Sequence, residues 1–209
     1  VVGLAAGFDY DAHLTQILPA MGFGFMTVGT VTAFPYEGNT RPRLGRFPTS
    51  RALLVNKGYK NSGAVAISQK LSGMDFAIPV GISIGSTNRE YTSPLEQIRD
   101  VVQGFEVFEA STVKHAYYEL NVSCPNLKGG QPFTTPERLQ KLVTAVFRLK
   151  ITRPVYVKMP IDITDKEAVA LLRILEKSPV KGVIFGNLTK DHTNPAVNEQ
   201  DRAEWASKK

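Results

Sequence analysis

The sequence predicts an α/β protein built as a TIM (β/α)8 barrel, with about six βα units present and the last two missing. Three observations lead to this fold class. Apolar, β-branched runs alternate regularly with segments of helical period. These runs are nearly continuous, which is typical of parallel strands covered by helices. Polar and glycine-rich residues recur where nearly every strand ends, and a barrel gathers its functional residues at that end.

A doubly wound open sheet is the alternative architecture. It usually carries a glycine-rich fingerprint after its first strand, and the stretch Gly3-Leu-Ala-Ala-Gly7 does not have that pattern. We expect a single domain over residues 1–209, because no linker or low-complexity segment divides the chain. It begins without Met, directly in an apolar run, so we expect the domain to be incomplete at both ends.

The strands and helices follow from periodicity and from capping residues. Six strands are predicted at 1–8, 23–31, 78–84, 116–123, 154–160 and 181–187. Five helices are predicted between them, near 11–21, 61–72, 94–109, 136–150 and 165–178. The segment 190–209, which contains Trp205, is expected to be the loop after the sixth strand.

Two of these helices have sequence signals at their first turns. The third begins with a predicted capping box from Ser93 to Glu96, with Pro94 at the first helical position. Its apolar stripe is Leu95, Ile98, Val102 and Phe105. The fifth has Thr164 with Glu167 as a second capping box, followed by an apolar stripe made of Ala168, Leu171, Leu172 and Leu175.

Composition narrows the classes of function. The formal net charge is +6, but Lys and Arg are scattered in runs of no more than two, so we expect no nucleic-acid partner. A single cysteine cannot form an internal disulfide, which favours a reducing compartment and hence the cytoplasm. His13, His115 and His192 have no carboxylate or cysteine at ligand spacing, so no metal site is predicted.

The lone cysteine, Cys124, directly follows the fourth predicted strand, and Pro125 turns the chain out of it. Isolated cysteines often act only as small apolar fillers. Here Asn121 and Asn126 flank the thiol with amides that donate and accept hydrogen bonds, as a ring of alternating N–H and C=O groups requires. A thiolate in that place could act as a general base that removes a carbon-bound proton.

Other polar residues lie at equivalent strand ends. Lys158 lies inside the apolar fifth strand and must either extend outward or point inward toward an anion; the helices covering the outside of a barrel favour the inward position. Asn187 follows the sixth strand. The pairs Ala6-Gly7 and Gly29-Thr30 offer small residues and backbone N–H groups to a flat ring, or are simply tight turns.

The residues of six ordered motifs resemble the dihydroorotate dehydrogenases, FMN-dependent barrels of pyrimidine synthesis. The resemblance covers essentially the whole chain. The motifs are Gly3-Leu-Ala-Ala-Gly-Phe-Asp9, Gly22–Phe25 with Val28–Thr32, Gly38-Asn39 with Arg41–Leu44, Asn121-Val-Ser-Cys-Pro-Asn126, Val157-Lys158 and Gly182–Asn187.

The resemblance implies a catalytic role for Cys124, which would take the C5 proton of dihydroorotate while hydride leaves C6 for the flavin. It implies substrate binding by Asn121, Asn126, Asn187, Tyr10 and Asn56.

For the FMN cofactor, the resemblance implies that Lys158 lies beside the flavin and stabilises its anionic reduced form. The other implied cofactor-binding residues are Ala6, Gly7, Thr30, Ser83, Asn121 and Gly186; Ser83 stands for an Asn of the family and Gly186 for a Thr.

The framework resembles the quinone-linked, membrane-associated class, which uses Ser as its base, whereas Cys124 is similar to the base of the soluble class that uses fumarate or NAD. The resemblance therefore leaves the electron acceptor open among quinone, fumarate and NAD. It also leaves open a homodimer and, for a quinone-linked protein, peripheral membrane association.

Several positions depart from the family. Tyr10 stands where the quinone-linked class has a lysine, and Gly29 where the soluble class places its equivalent lysine. Val55 stands where the family has a substrate-binding Asn, although Asn56 is adjacent, and Leu188 replaces a hydroxyl residue. Two alternatives therefore stay open: a flavin barrel acting on another dihydropyrimidine or cyclic imide, and a non-catalytic flavin-binding paralogue.

Overall fold

Six parallel strands form the central sheet in the computed structural model, which describes residues 1–191 and 193–206. They are β1 (Gly3–Leu4), β2 (Phe25–Val31), β5 (Val80–Ile84), β6 (Tyr117–Asn121), β7 (Val155–Met159) and β8 (Gly182–Phe185), in that order across the sheet. Every neighbouring pair is parallel. This is the strand order of a (β/α)8 barrel, and it confirms the predicted fold class.

Four α-helices connect these strands, and a fifth follows them: α1 (Ala64–Leu71), α2 (Pro94–Glu109), α3 (Pro136–Phe147), α4 (Asp165–Glu176) and α5 (Glu199–Ala206). The capping box of Thr164 and Glu167 is confirmed. The box predicted at Ser93 is only half formed: Ser93 accepts from the Glu96 backbone N–H, but the Glu96 carboxylate accepts from Thr92 instead. Leu95 was expected to be buried and is exposed, so the buried face of α2 begins at Ile98.

The helix predicted at 11–21 is wrong. Only a short 3-10 helix, Leu18–Met21, forms there. The Asp9 carboxylate accepts hydrogen bonds from the backbone N–H groups of His13 and Leu14, which holds this segment in a turn. Pro19 lacks the N–H that an α-helix would use within such a segment.

Two elements were not predicted. A hairpin of β3 (Leu44–Phe47) and β4 (Ala52–Val55) forms a separate antiparallel sheet between β2 and α1. Helix α5 lies in the segment that was expected to be a loop. The side chain of Trp205 and residues 192 and 207–209 lie outside the described part of the chain.

The strands alternate between an apolar face covered by helices and a polar inner face. The outer face of the sheet contributes buried apolar side chains to one continuous core with α1 to α4. The inner face carries Thr27, Ser83, Tyr117, Glu119, Asn121, Tyr156 and Lys158. Near the amino-terminal ends of the strands, the Tyr117 hydroxyl forms a hydrogen bond with the Thr27 hydroxyl at 2.7 Å. The Tyr117 ring fills the space that a side chain at Gly81 would need.

Among the described residues no helix has both the length and the apolar character needed to cross a bilayer.

Candidate active site

A cavity opens at the carboxyl ends of the strands, the face on which a (β/α)8 barrel gathers its functional residues. The loops after β1, β4, β6 and β8 and the strands β2 and β7 build its wall. The lining residues are Ala6, Gly7, Tyr10, Gly29, Thr30, Val55, Lys57, Gly58, Tyr59, Lys60, Asn121, Cys124, Asn126, Lys158, Asn187 and Leu188. The structure thus brings together most of the side chains that the sequence singled out.

Cys124 lies in this wall with its side chain almost fully buried. Burial raises the pKa of the thiol to about 11, because the charged thiolate is poorly solvated there. Several groups oppose this effect and lower the pKa: the backbone N–H of Asn126, the charges of Lys190 and Lys158, and a hydrogen bond with Tyr59. The thiol is therefore protonated at neutral pH, and the surrounding donors favour its ionised form.

Tyr59 is a partner of Cys124 that sequence reasoning missed. It has a left-handed backbone conformation, with φ of 63°, which turns its ring into the interior. Its hydroxyl donates to the carbonyl of Asn121 at 3.2 Å and interacts with Cys124. Burial raises the Tyr59 pKa well above its usual value, so Tyr59 remains a hydrogen-bond donor.

The Asn121 amide is fixed by hydrogen bonds on both sides. Its Nδ2 donates to the Thr30 hydroxyl at 2.8 Å, and its Oδ1 accepts from the Ser123 backbone N–H and hydroxyl. Asn187 donates to the same Ser123 hydroxyl at 2.5 Å. These bonds orient both amides at the cavity wall and leave the second Nδ2 hydrogen of Asn121 available to a ligand.

A cluster of amides ties the cysteine loop to the hairpin. Asn126 Nδ2 donates to the Val55 carbonyl at 2.9 Å. Asn39 Nδ2 donates both to the Asn126 carbonyl and to Asn56 Oδ1, and Asn88 Nδ2 donates to Asn39 Oδ1. The side chain of Asn56 is thus engaged with Asn39 behind the wall, and Val55 takes the place at the cavity.

Lys158 points inward, as the apolar outer face of the barrel led us to expect, and only 6% of its surface is exposed. Its ammonium lies 4.0 Å from Oε1 of Glu119, a buried carboxylate that the sequence analysis did not single out. The two residues lie on neighbouring strands, β6 and β7. The signal for Glu119 was present in the sequence, since a strand residue two positions before Asn121 shares its face.

Glu119 ends a chain of hydrogen bonds that begins at Asn121. Ser83 donates to Glu119 at 2.7 Å, and Ser83 lies 2.9 Å from the Thr30 hydroxyl, which accepts from Asn121. Burial raises the pKa of Glu119, while Lys158 and the Ser83 bond oppose that shift. Ser83 was singled out as a cofactor residue; the structure places it fully buried behind Thr30, outside the cavity wall.

The backbone conformation at position 29, in the cavity wall, requires a glycine. Its φ is 116°, a conformation that favours glycine. A Cβ atom at this position would meet the Ser83 carbonyl oxygen at 2.7 Å. A lysine therefore cannot be accommodated here. Gly186, another expected cofactor residue, is exposed in the loop before Asn187 and does not line the cavity.

Two lysines that sequence reasoning missed lie near Tyr10 in the same wall. The Lys57 ammonium is 4.6 Å from the centroid of the Tyr10 ring, and that of Lys60 is 5.9 Å away. Burial lowers the pKa of Lys57, and the charge of Lys60 lowers it further. Both lysines lie in a loop whose conformation a sequence pattern does not fix.

Comparison with known sequences identifies relatives of this site. The family model of dihydroorotate dehydrogenase matches residues 1–204. A dihydroorotate dehydrogenase (quinone) of Mycobacterium sp. (strain KMS) is 35% identical over 189 residues, which make up 90% of this chain and 51% of the relative. The one of Chloroflexus aurantiacus is 36% identical over 198 residues, covering 90% of this chain and 53% of the relative. The chain thus spans about half the length of these curated relatives.

Solved structures agree on the fold. The crystal structure of dihydroorotate dehydrogenase from Eimeria tenella in complex with ferulenol superposes with a TM-score of 0.80 at 23% identity, over 96% of this chain and 60% of that chain. The ligand-free structure from the same organism gives a TM-score of 0.81 at 25% identity, over 96% and 62% of the two chains. Because the family match extends over nearly the whole chain and includes every strand of the sheet, this chain belongs to the dihydroorotate dehydrogenase family.

Proposed function

We propose that the protein oxidises dihydroorotate to orotate in pyrimidine biosynthesis, with FMN as its cofactor. The observation that carries this proposal is the position of Cys124, the one cysteine of the sequence, in the same cavity wall as Asn121, Asn126 and Lys158. A base, ring-binding amides and a buried cation are the groups that dehydrogenation of a pyrimidine ring requires.

The residues present fit an FMN ring. Lys158 is almost buried and lies 4.0 Å from Glu119, beyond hydrogen-bond distance, so its ammonium can donate to a ligand atom. Gly7 and Gly29 keep part of the wall free of side chains, which lets a flat ring lie against the backbone. When bound, FMN supplies the two-electron acceptor for the hydride that leaves C6 of the substrate.

The protein side of the reaction is binding and proton transfer. Asn121, Asn126 and Asn187 hold the N–H and C=O groups of the pyrimidine. The Cys124 thiolate accepts the proton from C5, so that the C5–H bond breaks, an S–H bond forms and the electron pair enters the new C5=C6 double bond. Lys158 stabilises negative charge in the cavity, an electrostatic role suited to a fixed cation.

We also propose a quinone as the acceptor that reoxidises the cofactor. The support is the printed function of the relatives, which are quinone-linked enzymes. Turnover with a soluble ubiquinone analogue, and none with fumarate or NAD, is the expected result. Turnover with fumarate or NAD alone would instead assign the protein to the class that uses a cysteine base.

The test of the reaction is anaerobic mixing of the full-length, flavin-loaded protein with dihydroorotate while flavin absorbance is followed. Bleaching is expected. The Cys124→Ala variant should bind flavin, be reduced by dithionite, and show no bleaching with dihydroorotate. A bound flavin that dihydroorotate leaves oxidised in the wild-type protein would contradict the proposal, and tight flavin binding without turnover of any substrate would indicate a non-catalytic paralogue.

A second candidate is oxidation of another dihydropyrimidine or cyclic imide. The apolar side chains of Val55 and Leu188 in the cavity wall favour it, because they offer no hydrogen bonds where the family has polar groups. Bleaching by dihydrouracil at a higher rate than by dihydroorotate would support this candidate.

A further inference from the structure

The cavity wall has a strongly cationic composition. Three lysines line it, Lys57, Lys60 and Lys158, and the described residues that line it include no Asp or Glu. Lys158 has Glu119 behind it. Among the residues that the structure describes, Lys60 forms its one ion pair with Glu37, at 3.7 Å, and the Glu37 side chain is 95% exposed, so solvent screens that pair.

Lys57 is the cation with the least compensation by the protein. No ion pair of Lys57 occurs within the described part of the chain, and its nearby cationic neighbour, Lys60, lowers its pKa. Its ammonium lies over the face of the Tyr10 ring, 4.6 Å from the centroid. An anion bound in the cavity stabilises the charged form of a half-buried lysine that lies beside a second lysine.

The backbone that carries Lys57 and Lys60 is held in place. The Lys57 carbonyl accepts from the Asn39 N–H at 3.1 Å, and the Tyr59 carbonyl accepts from Asn61 Nδ2 at 2.8 Å. Between the two lysines, Tyr59 is anchored inside by the hydrogen bond from its hydroxyl to the Asn121 carbonyl. Lys57 therefore lies in the same cavity wall as Cys124, two residues from Tyr59, whose hydroxyl interacts with the thiol.

We infer that Lys57, supported by Lys60 and the Tyr10 ring, binds the carboxylate of the pyrimidine substrate. This inference rests on the proposed function for the identity of the ligand. The two classes of the family have a lysine at position 10 or at position 29. This chain has Tyr10 at the first position, and the Gly29 backbone excludes a side chain at the second, so Lys57 explains how a carboxylate is recognised without either lysine. The cation reaches the cavity from the loop after β4 instead of from the ends of β1 or β2.

The test measures binding in the full-length, flavin-loaded protein through the change that a ligand causes in flavin absorbance. Orotate and uracil share the ring and differ by the carboxylate. In Lys57→Met we expect the Kd of orotate to rise by about tenfold to a hundredfold, the effect of losing one charge-assisted bond, and the Kd of uracil to stay within about twofold. Lys141→Met, on the exposed side of α3, is the control and should change neither Kd. Adding Tyr10→Lys to Lys57→Met should restore part of the orotate affinity.

The outcomes separate the inference from the proposed function. An unchanged ratio of the two Kd values in Lys57→Met, or an equal weakening of both ligands, would overturn the inference. A loss of bound FMN would also overturn it, because the anion would then be the cofactor phosphate. If dihydroorotate fails to bleach the wild-type flavin while the orotate to uracil ratio still depends on Lys57, the proposed reaction is wrong and the anion site stands.

Discussion

The pH dependence of Cys124 reactivity follows directly from its environment. The thiol has a pKa of about 11 in place of the ordinary value of 9.0. At pH 8 this leaves about one thiolate in a thousand, against roughly one in ten for an unperturbed thiol, a difference of about a hundredfold. We expect iodoacetamide to alkylate Cys124 slowly at pH 8 and the rate to increase about tenfold per pH unit up to about pH 10, because only the thiolate reacts.

The assay is a series of alkylation rates from pH 7 to 10.5, read by mass spectrometry of the peptide that contains Cys124. Limited access to the buried sulfur lowers all rates by a similar factor, so the informative observation is whether the rate levels off, and with a pKa of about 11 we expect no plateau up to pH 10.5. Tyr59→Phe removes a hydroxyl that lowers the thiol pKa and should slow alkylation relative to the wild type throughout this range. Tyr91→Phe removes a hydroxyl that donates to the Thr87 carbonyl outside the cavity, and this control should leave the alkylation rates unchanged. A rate that levels off below pH 9 would refute the reasoning.

Two further predictions concern stability. Glu119 has a raised pKa in the folded protein. Between the ordinary pKa of 4.5 and the pKa in the folded state, the folded protein therefore keeps the Glu119 proton and the unfolded chain loses it. The free energy of unfolding consequently falls as pH rises through this range. Glu119→Gln should match the wild type in thermal unfolding near pH 4.5 and gain on it as pH rises to 8; a deficit that grows with pH would show that the ion pair with Lys158 is a net stabiliser. Thr164→Ala removes the capping box of α4 and should lower the free energy of unfolding by about 1 kcal/mol, or Tm by about 2–4 °C, whereas the neighbouring Lys166→Ala should be near neutral; equal Tm values for wild type and Thr164→Ala would contradict the role of the cap.

The central sheet could be predicted because its signals are local. Each strand is a short apolar run, and helices such as α2 and α4 begin at residues whose side chains cap the first turn. The helix at 11–21 failed because the Asp9 carboxylate takes backbone N–H groups that a helix would have used. The hairpin of β3 and β4 was missed because its strands are four residues each and no short turn motif joins them.

The cavity could be predicted in part for a similar reason. Residues at the ends of parallel strands converge in a barrel, so Cys124, Asn121 and Lys158 could be placed together from their positions in the sequence. The contact between Lys158 and Glu119 depends on the register of two strands that are distant in the chain. The positions of Lys57 and Tyr59 depend on the conformation of a loop, with a left-handed residue at Tyr59, that composition does not reveal.

The position of Glu119 above two tyrosine rings limits how it exchanges protons. Tyr117 shares its strand face and Tyr156 is its partner on β7, and their rings pack edge to face with centroids 5.8 Å apart. Only 1% of the Glu119 surface is exposed, and its bonded route outward runs through Ser83 and Thr30 to Asn121 at the cavity. A ligand that fills the cavity therefore lies across this route, so we expect proton exchange between Glu119 and solvent to be slower in the complex than in the free protein.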